Sequence, residues 1–335
     1  MEFRILGTVE VRSRGRVLKL VGRQRKIVAI LLLDANHVIP IQLLIDAIWD
    51  DRPPSSARRQ VQNCVSSLRK EWATDGAPDT LIAGDSIGYR IQTMSGEIDA
   101  EVFEHGLADA DRLLALNRTG EAAVRLREAL DLWRGPALPE LDGRAFEAAA
   151  ARLNELRLTT IEQYTDLELR LGRPHQLVGP LTELVLEYPL RERLVGQLML
   201  ALHWSGRQAE ALRVYYDLRA RLADELGLVP SRRLAHLHDA VLIDNPALSG
   251  KTLEVVESLT PTWHPLTRGR PQWRSRGKTV HCRQSGKCGM PESSKPRPHE
   301  TVPERLEHPF HTARKSDGRE YSNDEIATTI RRDQA

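Results

Sequence analysis

The residues best suited to chemistry in this sequence form a polar run between positions 58 and 70. Several are spaced by three, four or seven positions, which brings them to one side of an α-helix. The run contains Arg58, Arg59, Gln62, Asn63, Ser66, Ser67, Arg69 and Lys70. Because Arg and Lys can contact phosphates or guanine, and Asn and Gln can pair with adenine, this face could recognise duplex DNA.

The opposite side of the same segment is apolar, which predicts an amphipathic helix over residues 55–72. Its apolar members are Val61, Cys64, Val65, Leu68 and Trp72. Ser55 or Ser56 is suited to the N-cap, because a hydroxyl there can accept a hydrogen bond from a free backbone N–H of the first helical turn. The helix alone leaves two interpretations open, a DNA-recognition helix or an ordinary helix whose polar face is solvated.

The elements around this helix favour the first interpretation. Period-two alternation predicts short strands over residues 3–7, 9–12 and 17–20, and helical periodicity predicts helices over 23–35 and 41–49. Two more strands, over 80–83 and 89–92, enclose a loop that contains glycine. This order is typical of a winged helix, in which Arg90 of the wing could reach a minor groove or a phosphate. We expect Tyr89 to pack in the core.

The rest of the chain divides by composition. Residues 96–249 have helical periodicity interrupted by Gly and Pro, which predicts a helical-repeat domain similar to tetratricopeptide repeats. Residues 250–335 lose apolar periodicity, and we expect a largely disordered tail. The predicted fold is therefore mainly α with small β-sheets, with a winged helix in residues 1–95, an all-α domain in 96–249 and the tail.

Charge is distributed unevenly along the chain, although its formal net charge is only +2. Residues 1–95 contain 14 Lys and Arg against 10 Asp and Glu, whereas residues 96–250 contain 18 against 25. A basic first segment suits a polyanionic partner, and an acidic middle segment suits protein partners. The longest apolar run near the N-terminus, residues 27–33, is short for a membrane span, so we expect a soluble, cytoplasmic protein.

Catalytic and cofactor sites have little support in the sequence. It has no nucleophile-elbow, zinc-protease or dinucleotide-binding motif, so we expect no enzyme activity and no cofactor. Residues 277–279 (GKT) resemble the end of a phosphate-binding loop, but Gln272 stands where its first glycine belongs. His281, Cys282 and Cys288 have unusual spacing for zinc, so we expect no metal. Three cysteines are too few for a disulfide framework.

Residues 1–249 resemble the small Streptomyces antibiotic regulatory proteins. In the first domain, the similar segments are residues 3–7 (FRILG), 43–49 (LLIDAIW), 61–70 (VQNCVSSLRK) and 88–91 (GYRI). In the second, they are residues 99–104 (DAEVFE), 132–138 (LWRGPAL), 189–194 (PLRERL), 205–212 (SGRQAEAL) and 225–230 (ELGLVP). Any one of these segments is a weak indication, but together they are specific.

The resemblance implies an OmpR-type winged helix followed by a bacterial transcriptional activation domain. It further implies side-by-side protomers on direct repeats in double-stranded promoter DNA, and recruitment of RNA polymerase holoenzyme to antibiotic or secondary-metabolite genes. It makes Asp50 and Asp51, between the second and third helices, candidate polymerase contacts. The alternative is a helical-repeat scaffold whose winged helix no longer binds DNA.

Overall fold

The computed structural model describes residues 1–76, 78, 81–84, 86–245 and 248. Its strands are β1 (Glu2–Arg4), β2 (Glu10–Ser13), β3 (Arg16–Leu18), β4 (Ile39–Pro40), β5 (Ile82–Gly84) and β6 (Gly88–Ile91). Its α-helices are α1 (Arg23–Leu33), α2 (Ile41–Trp49), α3 (Ala57–Thr74), α4 (Asp99–Ala115), α5 (Thr119–Leu130), α6 (Arg144–Arg170), α7 (Val178–Glu187), α8 (Glu192–Trp204), α9 (Gln208–Leu226) and α10 (Arg232–Leu242), with a short 3-10 helix at Pro174–Gln176. The predicted mainly α fold with small sheets is confirmed. The predicted tail, with His281, Cys282 and Cys288, lies outside the described residues.

The first sheet is an antiparallel meander in the order β1-β2-β3. Ser13 pairs with Arg16 across a two-residue turn. Both turn residues have positive φ, 49° at Arg14 and 79° at Gly15. That combination matches the right-handed twist of the strands, so the turn holds the hairpin in one register.

The second sheet has the order β4-β6-β5 and contains a strand that the sequence pattern did not predict. In β4, Ile39 pairs with Tyr89 and Pro40 pairs with Gly88. A Cβ on Gly88 would lie 1.9 Å from the carbonyl oxygen of Ile39, so only glycine permits this approach. The two strands of the wing are confirmed, and β4 ties the wing to the start of α2.

Helix α3 confirms the predicted amphipathic segment, and it ends two residues later than expected. Val61, Val65, Leu68 and Trp72 are buried against the rest of the domain. Ser56 precedes the helix, but its hydroxyl accepts the Gln60 side-chain amide at 2.9 Å and makes no backbone cap. The apolar face, rather than a cap, therefore fixes this helix in place.

The helical region is built from antiparallel helix pairs. In the α4–α5 pair, a Cβ on Gly106 would lie 3.0 Å from the Cβ of Ala129, so small residues permit a close approach. Helix α8 is the most enclosed element: Leu194, Val195 and residues 198–202 are all buried. These pairs fit the predicted helical-repeat architecture.

The hydrophobic cores do not follow the predicted boundary at residue 95. One continuous core extends from Phe3 to Leu167, and a second runs from Leu169 to Leu248. The carboxylate of Asp99 accepts the backbone amides of Ile5 at 2.8 Å and Leu6 at 3.1 Å. The start of α4 therefore supplies the hydrogen-bond acceptor for the chain that follows β1. The domain boundary at residue 95 stays a prediction.

Candidate nucleic-acid interface

The solvent-facing side of α3 brings together most of the predicted contact residues. Its exposed members are Arg58, Arg59, Gln62, Asn63, Ser66 and Lys70. Cys64 lies between the two faces and is half-buried. Burial raises the pKa of its thiol, although the charge of Arg23 opposes this, so the residue behaves as a packing group. The exposed face offers guanidinium, ammonium, amide and hydroxyl groups to a ligand.

Ser67 is turned toward α1. Its hydroxyl donates a hydrogen bond to Glu71 at 2.6 Å and accepts one from the Gln24 side chain at 3.4 Å. Gln24 also donates to Glu71 at 3.2 Å. These three side chains join α1 to α3, and the DNA contact of Ser67 stays a prediction.

Arg69 connects α3 with the wing. Its Nε donates to the carbonyl oxygen of Ile82 at 2.8 Å, and its guanidinium lies 5.8 Å from the centre of the Tyr89 ring. A Cβ on Gly84 would lie 2.9 Å from that ring and 3.0 Å from Nη2 of Arg69. The glycine therefore leaves room for the arginine, which holds the base of the wing against the helix.

The wing places different side chains at its tip and on its strands. Ser86 and Ile87 of the loop are exposed, whereas Tyr89 packs against the first core as predicted. Arg90 is half-buried on β6 and has a partner within the described residues. Of the two predicted wing roles, packing by Tyr89 is therefore visible, and the DNA contact of Arg90 stays a prediction.

Several positive charges on the surface around α3 are unpaired within the described residues. Among the described part of residues 1–95, several exposed cations have no carboxylate oxygen within 4.0 Å, namely Arg14, Arg16, Lys19, Arg23, Arg52, Arg58, Arg59 and Lys70. They lie on α3, on the turn before it, at the start of α1 or on the β2–β3 hairpin. In the same region Arg4, Arg12, Arg25 and Lys26 have acidic partners. The surface around α3 thus has free charge for a polyanion.

The α2–α3 turn with the two predicted polymerase contacts is held by the helical region. Arg144, the first residue of α6, lies 2.6 Å from the carboxylate of Asp51 and 3.5 Å from that of Asp50. Beside it, Lys26 of α1 pairs with Asp142 at 2.8 Å. The Asp51 side chain is nevertheless 82% exposed, so it is accessible to a partner.

Neither a metal-binding cluster nor a membrane-spanning helix is found among the residues that the structure describes. Within them, no group of three or more His, Cys, Asp or Glu side chains could hold a metal ion. No helix among them is long and apolar enough to cross a bilayer. The free cations of the hairpin were not among the predicted contacts, because the strands predicted over residues 9–12 and 17–20 gave no indication that the chain between them lies beside α3.

Two protein families match this arrangement. Residues 15–91 match "Transcriptional regulatory protein, C terminal", and residues 98–242 match "Bacterial transcriptional activator domain". The first covers α1 to α3 and the wing, and the second covers α4 to α10. The matched ranges meet between β6 and α4, where the chain leaves the wing.

Individual relatives extend the same likeness across most of the described chain. The chain is 34% identical to "Regulatory protein DnrI" of Streptomyces peucetius over 76% of its own length and 97% of that relative. It is 37% identical to "Regulatory protein AfsR" of Streptomyces coelicolor, over 79% of its own length but only 26% of the relative. A solved structure, "Mycobacterium tuberculosis EmbR in complex with low affinity phosphopeptide", superposes with a TM-score of 0.70 at 30% identity, covering 76% of this chain and 69% of that one.

Proposed function

Since the chain belongs to the Streptomyces antibiotic regulatory protein family of transcriptional activators, we propose that it binds promoter DNA through α3 and recruits RNA polymerase holoenzyme. Its targets are antibiotic or other secondary-metabolite genes, and side-by-side protomers bind direct repeats in their promoters. It acts in the cytoplasm, where bacterial DNA lies.

The observation that carries the DNA-binding proposal is the free charge and amide content of the exposed α3 face. A helix fits the major groove when one face packs on the domain and the other offers donors and acceptors. Gln62 and Asn63 are exposed near the centre of α3 and are the candidates for base contacts. Arg58, Arg59, Lys70 and Arg90 are the candidates for phosphate or guanine.

The alternative, a scaffold with a vestigial winged helix, would leave this surface without a nucleic-acid ligand. The unpaired cations around α3 lie beside exposed amide side chains on one helix face, a combination that suits a DNA groove better than a scaffold surface. The wing is also fixed to α3 by Arg69, so the surface is already organised for binding.

The test begins with selection of duplexes from a random pool by the full chain, followed by binding measurements on the enriched sequence. We expect Gln62→Ala and Asn63→Ala each to weaken binding to that duplex by about 1–3 kcal/mol and to relax preference at one base pair. Binding to unrelated duplex should change little, because phosphate contacts remain.

Gln60→Ala is the matched control for these variants. Gln60 is on the same helix, but it is half-buried and its side-chain amide donates a hydrogen bond to the Ser56 hydroxyl. Removal of this side chain should therefore leave the base preference of the protein unchanged. If wild-type protein enriches no sequence, or if Gln62→Ala and Asn63→Ala behave like the control, α3 is not the base-contacting element.

Polymerase recruitment is proposed for the α2–α3 turn, where Asp50 and Asp51 precede the exposed residues 52–56. The double variant Asp50→Asn, Asp51→Asn removes both charges with little change of shape, because the Asn side chain has the size and form of Asp. We expect unchanged DNA affinity and about a tenfold loss of transcription in vitro, equivalent to roughly 1.4 kcal/mol of contact energy.

Arg144→Gln is the control for that double variant. It removes the partner of the two carboxylates without removing them, so loss of the ion pairs alone can be measured. Equal transcription by the double variant and wild type would contradict the assignment. Equal loss in the double variant and Arg144→Gln would assign the effect to the ion pairs between α6 and the turn.

A further inference from the structure

We propose that the β2–β3 hairpin, residues 13–19, is a second DNA-backbone contact that flanks α3 on the side opposite the wing. The inference rests on the proposed DNA-binding function and adds a phosphate-binding element to it. Its ligand is the sugar-phosphate backbone of duplex DNA next to the groove occupied by α3.

The hairpin is attached to the C-terminal end of α3. The Ser13 hydroxyl donates to the carbonyl oxygen of Asp75 at 3.2 Å. Next to it, a Cβ on Gly76 would lie 2.8 Å from Nη2 of Arg14, so the guanidinium lies directly against the end of the helix. The hairpin therefore has a fixed position relative to the DNA-facing residues.

The hairpin and the wing lie on different flanks of α3. An open groove of about 580 Å³ separates β3 and Lys19 from the helix, and Ser67, Lys70, Glu71 and Thr74 line its helical side. At 3.6 residues per turn, Ser67 and Thr74 point about 140–160° around the helix axis from Arg69, which contacts the wing. The exposed face lies between these two directions, so both elements flank it.

Arg14 lies against the end of α3, but none of the three hairpin cations has an acidic partner among the described residues. Arg14, Arg16 and Lys19 are exposed and have no carboxylate within 4.0 Å among the described residues. Lys70, from the DNA-facing side of α3, lines the same groove as Arg16 and Lys19. Cations on two walls of an open groove suit a chain of phosphates.

Two acidic residues also line the groove and limit where a phosphate can lie. Glu71 is turned toward α1, where its carboxylate accepts hydrogen bonds from Ser67 and Gln24. Asp75 lies at the helix end, beside the anchor of the hairpin. A phosphate therefore binds at the outer edge, between Lys70 and the hairpin cations, and not at the groove floor.

The turn geometry favours binding by this element. Residues 14 and 15 both have positive φ, which fits a twisted two-residue hairpin turn. A hairpin that is already ordered loses little conformational freedom when it meets the backbone. Its cations therefore contribute to affinity without sequence preference.

The experiment compares two triple variants of the full chain, with equal loss of charge, on a duplex that carries one copy of the selected site. Arg14→Asn, Arg16→Gln, Lys19→Gln removes the hairpin charges, with Asn chosen because residue 14 has positive φ. The control replaces three exposed arginines of α9, Arg213→Gln, Arg219→Gln and Arg221→Gln. Anisotropy titrations between 50 and 200 mM salt give the salt slope for each.

Each phosphate contact contributes about 0.9 to the slope of log affinity against log salt. Loss of three contacts should lower the slope by about 2.7, so the fourfold salt increase weakens binding roughly 40-fold less than it weakens the wild type. The control should keep the wild-type slope, and both variants should keep the wild-type melting temperature and base preference.

Two results would overturn the proposal. One is a hairpin variant whose salt slope equals that of the control. The other is unchanged binding to one site with lost cooperativity on two adjacent sites, which would make the hairpin a contact between protein copies. Failure of the proposed function is distinguishable, because the wild-type chain would then select no sequence at all.

Discussion

The arginines on the surface around α3 and those between α6 and α8 differ in their exposure and in their ion-pair partners. Around α3 they are exposed and lack acidic partners within the described residues, whereas between α6 and α8 they are enclosed by carboxylates. Arg191 pairs with Glu155 at 2.8 Å and with Glu162 at 2.5 Å. Arg193 pairs with Asp166 at 2.6 Å.

The arginines between α6 and α8 differ from those around α3 because their carboxylate partners are buried. The Glu162 side chain is only 3% exposed, so its charge is stabilised by protein groups and not by water. Burial raises the pKa of Asp166, while Arg193 and the Gln197 amide act in the opposite direction. Hydrogen bonds with Arg191 lower the pKa of Glu155 and raise that of the arginine.

The role of an arginine in this protein therefore depends on the partners that the fold brings to it, and residue type alone does not reveal that role. A cation whose partners are inside the fold contributes to holding two helices in register. A cation that the fold leaves unpaired is available to a ligand, and its removal should affect binding more than stability. Two substitutions test whether the enclosed and the exposed charges differ in their contribution to stability.

Arg191→Ala should destabilise the helical region most. It leaves the buried carboxylate of Glu162 without its closest cation, and breaking a buried pair in this way costs about 3–5 kcal/mol. Thermal and urea unfolding followed by circular dichroism would show it. Arg207→Ala is the control, because Arg207 pairs with Glu210 at the surface, and it should have no measurable effect. Equal unfolding curves for the two variants would show that the ion pairs of Arg191 do not stabilise the helical region.

Asp111→Asn should have a smaller effect of opposite sign. Burial on α4 raises the pKa of Asp111 from 3.8 to about 6. A raised folded-state pKa gives stability that is complete below about pH 4 and is lost as the pH rises through about 6. The variant should therefore be more stable than wild type at pH 7 by about 1 kcal/mol, allowing for solvent screening.

The matched control for that variant is Asp109→Asn. Asp109 pairs with Arg112 at 3.2 Å and with Arg125 at 3.1 Å, so its neutralisation should give no gain at pH 7. Unfolding at pH 4 and pH 7 separates the two, because the advantage of Asp111→Asn should vanish at the lower pH. A gain that is the same at both values would mean that the titration of Asp111 does not cause it.

Local pattern was sufficient to predict the buried and exposed faces of α3 and the wing. The apolar residues of α3 recur at helical spacing, so the buried positions Val61, Val65, Leu68 and Trp72 and the exposed face opposite them follow from periodicity alone. The Gly-containing loop between two alternating runs likewise predicted the wing. Such features depend on neighbours within a few residues, which the sequence displays directly.

Contacts between distant residues were not predictable in this way. Ser67 and Arg69 belong to the polar run, but packing turned one to α1 and the other to the carbonyl of Ile82. Strand β4 has only two residues, and its pairing depends on the missing side chain of Gly88. Periodicity assigns a residue to a face and does not say which element covers the edge of that face.

The mainly α architecture, the winged-helix order and the chemistry of the α3 face follow from residue types and their spacing along the chain. The tertiary structure decided which cations are free. The hairpin cations Arg14, Arg16 and Lys19 flank α3 because the Ser13 hydroxyl donates a hydrogen bond to the carbonyl oxygen of Asp75, 62 positions along the chain. Arg144 pairs with Asp51, which lies 93 positions away along the chain. Ion pairing depends on distances of a few ångström in space, and residue spacing along the chain does not fix such distances.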